Sequence, residues 1–186
     1  MSTRVALAVL LLAGCTRASD EGLPTEAEVA AMPDHESWGA VLRIDEGGRP
    51  RLVLEAPYLA RYERPPDSLF TRLGPDPAGR DTARARVALY DEAGALAATV
   101  RADSLVYYDA DRRFVAEGGV VVTTAGERRL ESERVAWDEA ARELRADGFF
   151  RFTSPAERVQ GVGLVAAEDL SRYAFRQASG VLEVEE

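Results

Sequence analysis

The chain has 186 residues, of which 46% are hydrophobic and 30% are charged, so it is long and apolar enough for one ordinary folded domain. Its 32 acidic residues outnumber its 23 basic residues, and the net charge of -9 argues against a nucleic-acid-binding protein, which needs a basic surface to displace phosphate counterions. A single Cys excludes an internal disulfide, and a single His leaves little for His-dependent catalysis.

The N-terminal residues are typical of a secretory signal peptide, predicted over residues 1–14. A short positive start is followed by an apolar run over residues 5–12. This run is about half of the ~20 residues that a membrane-spanning helix needs. The sequence Leu-Ala-Gly-Cys that ends at Cys15 resembles the lipobox of bacterial lipoproteins. That resemblance implies cleavage before Cys15 and acylation of its thiol and of the new amino terminus, which anchors the chain to a membrane.

Residues 15–37 are predicted to form a lipid-anchored, flexible tether. The segment contains Pro24, Pro33 and several acidic residues, and it has few apolar residues that could build a core. His35 lies in this acidic segment, where a solvated side chain is the expected state. The folded domain is therefore predicted to span residues 38–186.

Strand signals recur along the predicted domain, and helical periodicity is scarce. Short β-type runs lie at residues 87–90, 119–124 and 148–153, and turn-forming residues separate them. Residues 138–143 have the composition of a helix, but they are few and they fall where the other repeats turn. We interpret them as a polar hairpin loop.

Two repeated patterns predict the architecture. The first reads apolar, any, small, any, any, apolar, any, apolar; it begins at Val100, Leu130 and Val159, which are 30 and 29 residues apart, and Leu54 begins a partial copy. The second places Gly118, Gly148 and Gly180 at matching positions before apolar pairs. Each repeat therefore reads as short antiparallel strands joined by polar turns. The additional residue between the small and the apolar position predicts a β-bulge that re-phases the strand.

The order and spacing of these segments resemble the LptC/OstA-like periplasmic proteins of lipopolysaccharide transport. The segments that carry the resemblance are residues 87–94, 100–104, 116–120, 130–133 and Trp137, with residues 38–42 and 52–56 similar to the first strands of that family. The resemblance implies an all-β fold, an open β-jellyroll of repeated antiparallel hairpins whose interior holds lipid acyl chains. The best-known members carry an N-terminal transmembrane helix, whereas this chain has the lipobox.

The resemblance also implies partners. LptC-type proteins sit at the inner membrane on an ATP-driven ABC transporter complex (LptB2FG-like) and pass lipopolysaccharide to an LptA-like periplasmic bridge protein through contacts between jellyroll edges. We therefore expect a periplasmic protein anchored to the inner membrane, with the outer membrane as the alternative. An alternative function is that of a structural or assembly lipoprotein of the cell envelope that uses the sheet for protein binding only.

Ten apolar residues are predicted to face the sheet interior and to contact lipid. They are Leu89, Val100, Leu105, Tyr107, Val120, Val135, Trp137, Phe150, Phe152 and Leu164. The alternative for each of them is an ordinary, filled sandwich core. We expect no catalytic residue or metal, because the predicted domain contains no His and the single Cys lies before it. We also expect no cofactor, because the loose dinucleotide-like run at Gly161 and Gly163 occupies a repeat position and lacks a following helix.

Overall fold

The computed structural model describes residues 31–64 and 68–182, together with residues 25 and 29. The predicted signal peptide, Cys15 and most of the predicted tether lie outside the described residues. The described part of the chain is almost entirely β, with 70% of residues in strands and 1% in helix. The antiparallel sheet predicted from the repeats is confirmed, and the fold is consistent with the all-β jellyroll that the family resemblance implies.

The described residues form eleven strands. They are β1 (His35–Glu46), β2 (Arg49–Arg64), β3 (Ser68–Gly74), β4 (Ala85–Tyr90), β5 (Leu96–Ala102), β6 (Ser104–Tyr108), β7 (Arg113–Thr124), β8 (Arg129–Asp138), β9 (Glu143–Thr153), β10 (Glu157–Ala167) and β11 (Tyr173–Leu182). The first strand begins at His35, three residues before the start that the sequence predicts, because His35 already pairs with Arg61 of β2. The His35 side chain is exposed, and its Nε2 lies 3.1 Å from the Ser37 hydroxyl.

All strands belong to one antiparallel sheet that follows the chain as a meander. The short strands β3 and β4 pair with successive parts of the long strand β2, so they lie end to end beside it. In the same way, β5 and β6 lie end to end beside β7. From β7 to β11 every strand pairs with its successor. Within the described residues, β1 pairs with β2 alone and β11 with β10 alone, which leaves one edge of the sheet at each end.

The hairpin loop predicted at residues 138–143 is confirmed. The strand β8 ends at Asp138, a turn covers residues 139–142, and β9 begins at Glu143. The Asp138 carboxylate accepts a hydrogen bond of 2.9 Å from the Ala141 N–H, which stabilises the turn.

The predicted bulges are also present. The pairing register shifts between Ser132 and Ala136 in β8 and between Val162 and Leu164 in β10. In the first repeat, Asp103 separates the end of β5 from the start of β6. Residues five apart in a regular strand point to opposite faces. Across the interruptions, however, Leu130 with Val135 and Val100 with Leu105 are all buried. The bulges therefore return both halves of each repeat to the same face.

The sheet folds over itself around one apolar core. The core cluster contains residues of every strand from β1 to β10, and its largest fully buried side chains are Trp137, Phe114, Phe150 and Phe152. Contacts between residues far apart in sequence join its parts: Arg51 at the start of β2 binds Glu168 in the β10–β11 turn, 117 positions later. The interior face of the meander is thus enclosed by its own strands.

Candidate functional site

The sheet interior is the candidate site. All ten residues predicted to face it are buried there, and none is more than 4% exposed: Leu89, Val100, Leu105, Tyr107, Val120, Val135, Trp137, Phe150, Phe152 and Leu164. The structure brings them into a single cluster. Their contact with lipid stays a prediction.

Aromatic rings form one side of this interior. Phe114 stacks on Trp137 with ring centroids 5.4 Å apart, and Phe152 packs against Tyr173 at 4.6 Å. Phe150 lies 6.2 Å from Phe175 of the edge strand β11, and Phe175 is 45% exposed. The apolar face therefore continues from the core to solvent at this edge of the sheet.

The middle of the interior is closed in this structure. A pocket of about 780 Å³ lies where the turns after β4, β7, β8 and β10 meet, and none of the ten residues lines it. A smaller pocket of about 430 Å³ is lined by Phe152 and Val159 together with polar residues such as Arg151 and Gln160. The ten predicted residues line no open groove, because neighbouring side chains of the sheet cover each of them to at least 96%. Beyond the pocket at Phe152, an acyl chain reaches the predicted residues only by displacing other side chains.

One ion pair is buried at the edge of this core. Arg51 donates from Nη2 to Glu168 Oε2 at 2.8 Å, and the side chains are only 4% and 10% exposed. The Trp137 indole donates to the same Glu168 oxygen at 3.1 Å, and the Arg51 guanidinium lies 5.3 Å from the Trp137 ring. A buried charge is tolerated when its partner and further hydrogen bonds replace water, and this cluster meets that condition.

Two further arginines hold neighbouring turns. Arg142 of the β8–β9 turn lies 3.4 Å from the second Glu168 oxygen and also pairs with Glu92 of the β4–β5 turn. Arg112 of the β6–β7 turn forms a two-pronged contact with the buried Glu139, at 2.9 and 2.6 Å. Ion pairs of this fork geometry fix orientation as well as adding stability, so they set how the turns sit around the core.

Burial moves the pKa of the interior tyrosines further above neutral pH. Desolvation, followed by the charges of Glu139 and Asp109, raises the pKa of Tyr107 to about 12. Desolvation and a hydrogen bond to Glu157 raise the pKa of Tyr173 to about 12 as well. At neutral pH these hydroxyls carry no charge, and they leave the interior face apolar.

Phe114, Arg51, Glu168 and Leu170 are among the residues of the site that sequence reasoning missed. Phe114 could have been found by extending the period-2 pattern of β7 back from Ala116. Leu170 is an apolar residue between polar turn residues, which was a usable signal. Arg51 and Glu168 carried none, because the burial of each depends on a partner far away in sequence.

Comparisons with known proteins add no family. No known protein-family model matches the chain, and no curated protein matches it at a significant level. A search for membrane-spanning helices among the described residues finds none. In the same residues, His, Cys, Asp and Glu side chains form no group of three that could hold a metal ion. The fold and the site thus define an all-β protein with one antiparallel sheet around an apolar interior.

Proposed function

We propose that this protein is a membrane-anchored, periplasmic component of lipopolysaccharide transport, similar to LptC/OstA-like proteins. It accepts lipopolysaccharide acyl chains in the interior of its sheet and passes them to the next jellyroll protein towards the outer membrane. The observation that carries the proposal is the continuous apolar interior face of a single antiparallel meander, which extends from β1 to the half-exposed Phe175 of β11. Each methylene that moves from water into such a face contributes about 0.8 kcal/mol.

The edges of the sheet support the proposed partners. Strands β1 and β11 each pair on one side only in the described residues, and an unpaired strand edge can accept a strand of another sheet. The proposed partners are an LptA-like bridge protein at one edge and an inner-membrane LptB2FG-like transporter at the other. The proposed anchor is the acylated Cys15, and the inner membrane is its proposed place.

The closed interior favours a second candidate function. A filled core needs no ligand, so the same sheet could serve an envelope lipoprotein that binds protein partners through its edges and carries no lipid. The two functions predict different results when the protein is removed. Transport of lipopolysaccharide to the outer membrane should fail if the protein is a carrier and continue if it only binds proteins.

Depletion of the protein in its native host tests the proposal. We expect lipopolysaccharide to accumulate in the inner membrane and to fall in the outer membrane, measured after separating the two membranes on a density gradient. Expression of the wild-type chain should restore the distribution. An unchanged lipopolysaccharide distribution after full depletion would overturn the transport proposal and favour the protein-binding alternative.

Metabolic labelling tests the anchor separately. A fatty-acid probe should label the wild-type chain and leave the Cys15→Ala variant unlabelled, because the proposed acylation site is the only thiol in the sequence. Equal labelling of the two chains would contradict the lipobox prediction. This measurement does not depend on what the interior binds.

A further inference from the structure

The β10–β11 turn differs from the other turns of the sheet. Arg112, Glu127, Arg142 and Leu170 all adopt a positive φ in turns that join neighbouring strands. The first three have polar side chains that reach solvent, whereas Leu170 is completely buried in the core cluster. Its turn therefore folds inward and places an apolar side chain at the end of the interior.

The conformation of Leu170 is strained. Its φ of 56° lies in the left-handed region, which a branched apolar residue rarely adopts. The Leu170 N–H donates to the Ala167 carbonyl at 2.8 Å, which closes the turn. Such strain persists only when other contacts hold it, and here the burial of the side chain and the contacts of the neighbouring Glu168 do so.

The contacts of Glu168 connect this turn to distant strands. Its carboxylate accepts hydrogen bonds from Arg51 of β2 and from Trp137 of β8, and it also lies 3.4 Å from Arg142. We call the Arg51–Glu168 ion pair the latch. Loss of the latch would free the turn from β2 while leaving its own backbone hydrogen bonds in place.

The same turn lines the pocket of about 780 Å³. Glu168, Asp169 and Ser171 belong to its wall, and Leu170 between them points to the core instead. The volume is within the range of small-molecule sites, about 300–1,000 Å³. The wall includes apolar Leu96 and Val165 as well as charged residues, so it suits an amphiphile. The turn thus lies between an accessible pocket and the closed interior.

We propose that the β10–β11 turn is a displaceable plug, held by the latch, and that the pocket beside it is the port through which a long alkyl chain with an anionic head group enters the interior. Arg128 and Arg172 of the pocket wall provide cationic groups for the head, whereas Arg142 is already paired with Glu168. The proposal rests on the proposed function, because it supplies the route by which acyl chains reach a filled core. When the plug swings out, Leu170 vacates the space that the alkyl chain occupies.

The test uses the full lipidated chain in phosphatidylcholine vesicles that contain a diazirine-bearing stearic acid. After illumination, mass spectrometry measures the labelling of the β7–β8 segment that carries Phe114 and Trp137. The variant Arg51→Met/Glu168→Gln removes both charges of the latch, leaves no unpaired buried charge and keeps an acceptor for the Trp137 indole. We expect severalfold more interior labelling than in the wild type, because loss of the latch shifts the equilibrium towards the open turn.

A matched control is the variant Arg112→Met/Glu139→Gln, which removes an equally close ion pair from another pair of turns. We expect wild-type labelling of the interior in this variant. Equal labelling in the two double variants, or no increase in the latch variant, would overturn the proposal. Thermal melting of each variant confirms that the chain remains folded.

Leu170→Gly provides a second, independent variant. Glycine adopts the positive φ without strain and removes the apolar plug, so interior labelling should rise although the latch is intact. In a Trp38→Phe background Trp137 is the remaining Trp, and its quenching by acrylamide should increase in both plug variants. Unchanged quenching and labelling in Leu170→Gly would contradict the plug. Since stearate replaces lipopolysaccharide here, failure of this test leaves the depletion experiment to decide the transport proposal by itself.

Discussion

At the scale of single residues, the clearest cost to the fold is Asp109 in the β6–β7 turn. One oxygen of its carboxylate, Oδ2, is buried without a hydrogen-bond partner among the described residues. Desolvation raises the pKa of Asp109 above its ordinary value, although the charge of Arg61 opposes the shift. A carboxyl group with a raised pKa in the folded state favours folding when protonated and opposes it when ionised.

The variant Asp109→Asn should therefore be more stable than the wild type at pH 7, by about 1 kcal/mol, because it removes a desolvated charge. The gain should shrink as the pH falls from the raised pKa of the folded state towards about 4, because the wild-type carboxyl is protonated in both states below that pH. Urea unfolding at pH 7 and pH 3 measures the difference. Asp111→Asn is the control, since Asp111 is exposed and pairs with Arg113 at the surface. A destabilised Asp109→Asn variant at pH 7 would contradict this interpretation.

The two tryptophans provide a second comparison between residues. Trp137 is fully buried, whereas Trp38 is 55% exposed at the start of the sheet. Trp137→Arg should lower the free energy of unfolding by about 3–5 kcal/mol, because it places a charge in a closed core. Trp38→Arg should change it much less, and thermal melting measures both. A small loss at Trp137 would mean that the interior is open in solution.

At the scale of elements, the repeats determine where the bulges lie. Apolar residues five apart, such as Val100 and Leu105, predicted the re-phasing correctly because the information lies in neighbouring residues of the sequence. The loop of residues 75–84 that connects β3 and β4 was not predicted, because these residues have no periodic pattern that distinguishes them from a turn. The inward position of Leu170 was missed for a different reason: an apolar residue in a turn is a signal, but its burial also depends on the tertiary contacts of Glu168.

Two glycines of the repeats should respond differently to the same substitution. A Cβ at Gly161 would overlap the Gln177 carbonyl oxygen of β11 and lie 2.8 Å from the Ala178 Cα. Gly161→Ala should therefore destabilise the protein by about 1–3 kcal/mol, because backbone has to move apart. A Cβ at Gly148 would meet nothing within 4 Å, so Gly148→Ala should stay within about 0.5 kcal/mol of the wild type. Equal effects in urea unfolding would contradict the close approach of β10 and β11.

At the scale of the whole molecule, the sequence predicted one sheet with an apolar face, but it left open whether that face contacts lipid or forms a filled core. Periodicity shows which side chains share a face, as for Val135 and Trp137. Whether that face meets solvent, lipid or another part of the sheet depends on how far the meander curls, and contacts such as Arg51 with Glu168 determine this. The interior is therefore a filled core in this structure, and the proposed carrier function requires it to open.

The most direct measurement of this central claim is crosslinking from neighbouring positions in living cells. A photoreactive amino acid replaces either Tyr107, which is 4% exposed in the interior, or Tyr108, the next residue, which alternates to the other face of β6. Lipopolysaccharide crosslinked to the protein is then detected after illumination. The account predicts crosslinks from position 107 and few from position 108. Absence of lipopolysaccharide at position 107, or equal amounts at both positions, would contradict a lipid-carrying interior.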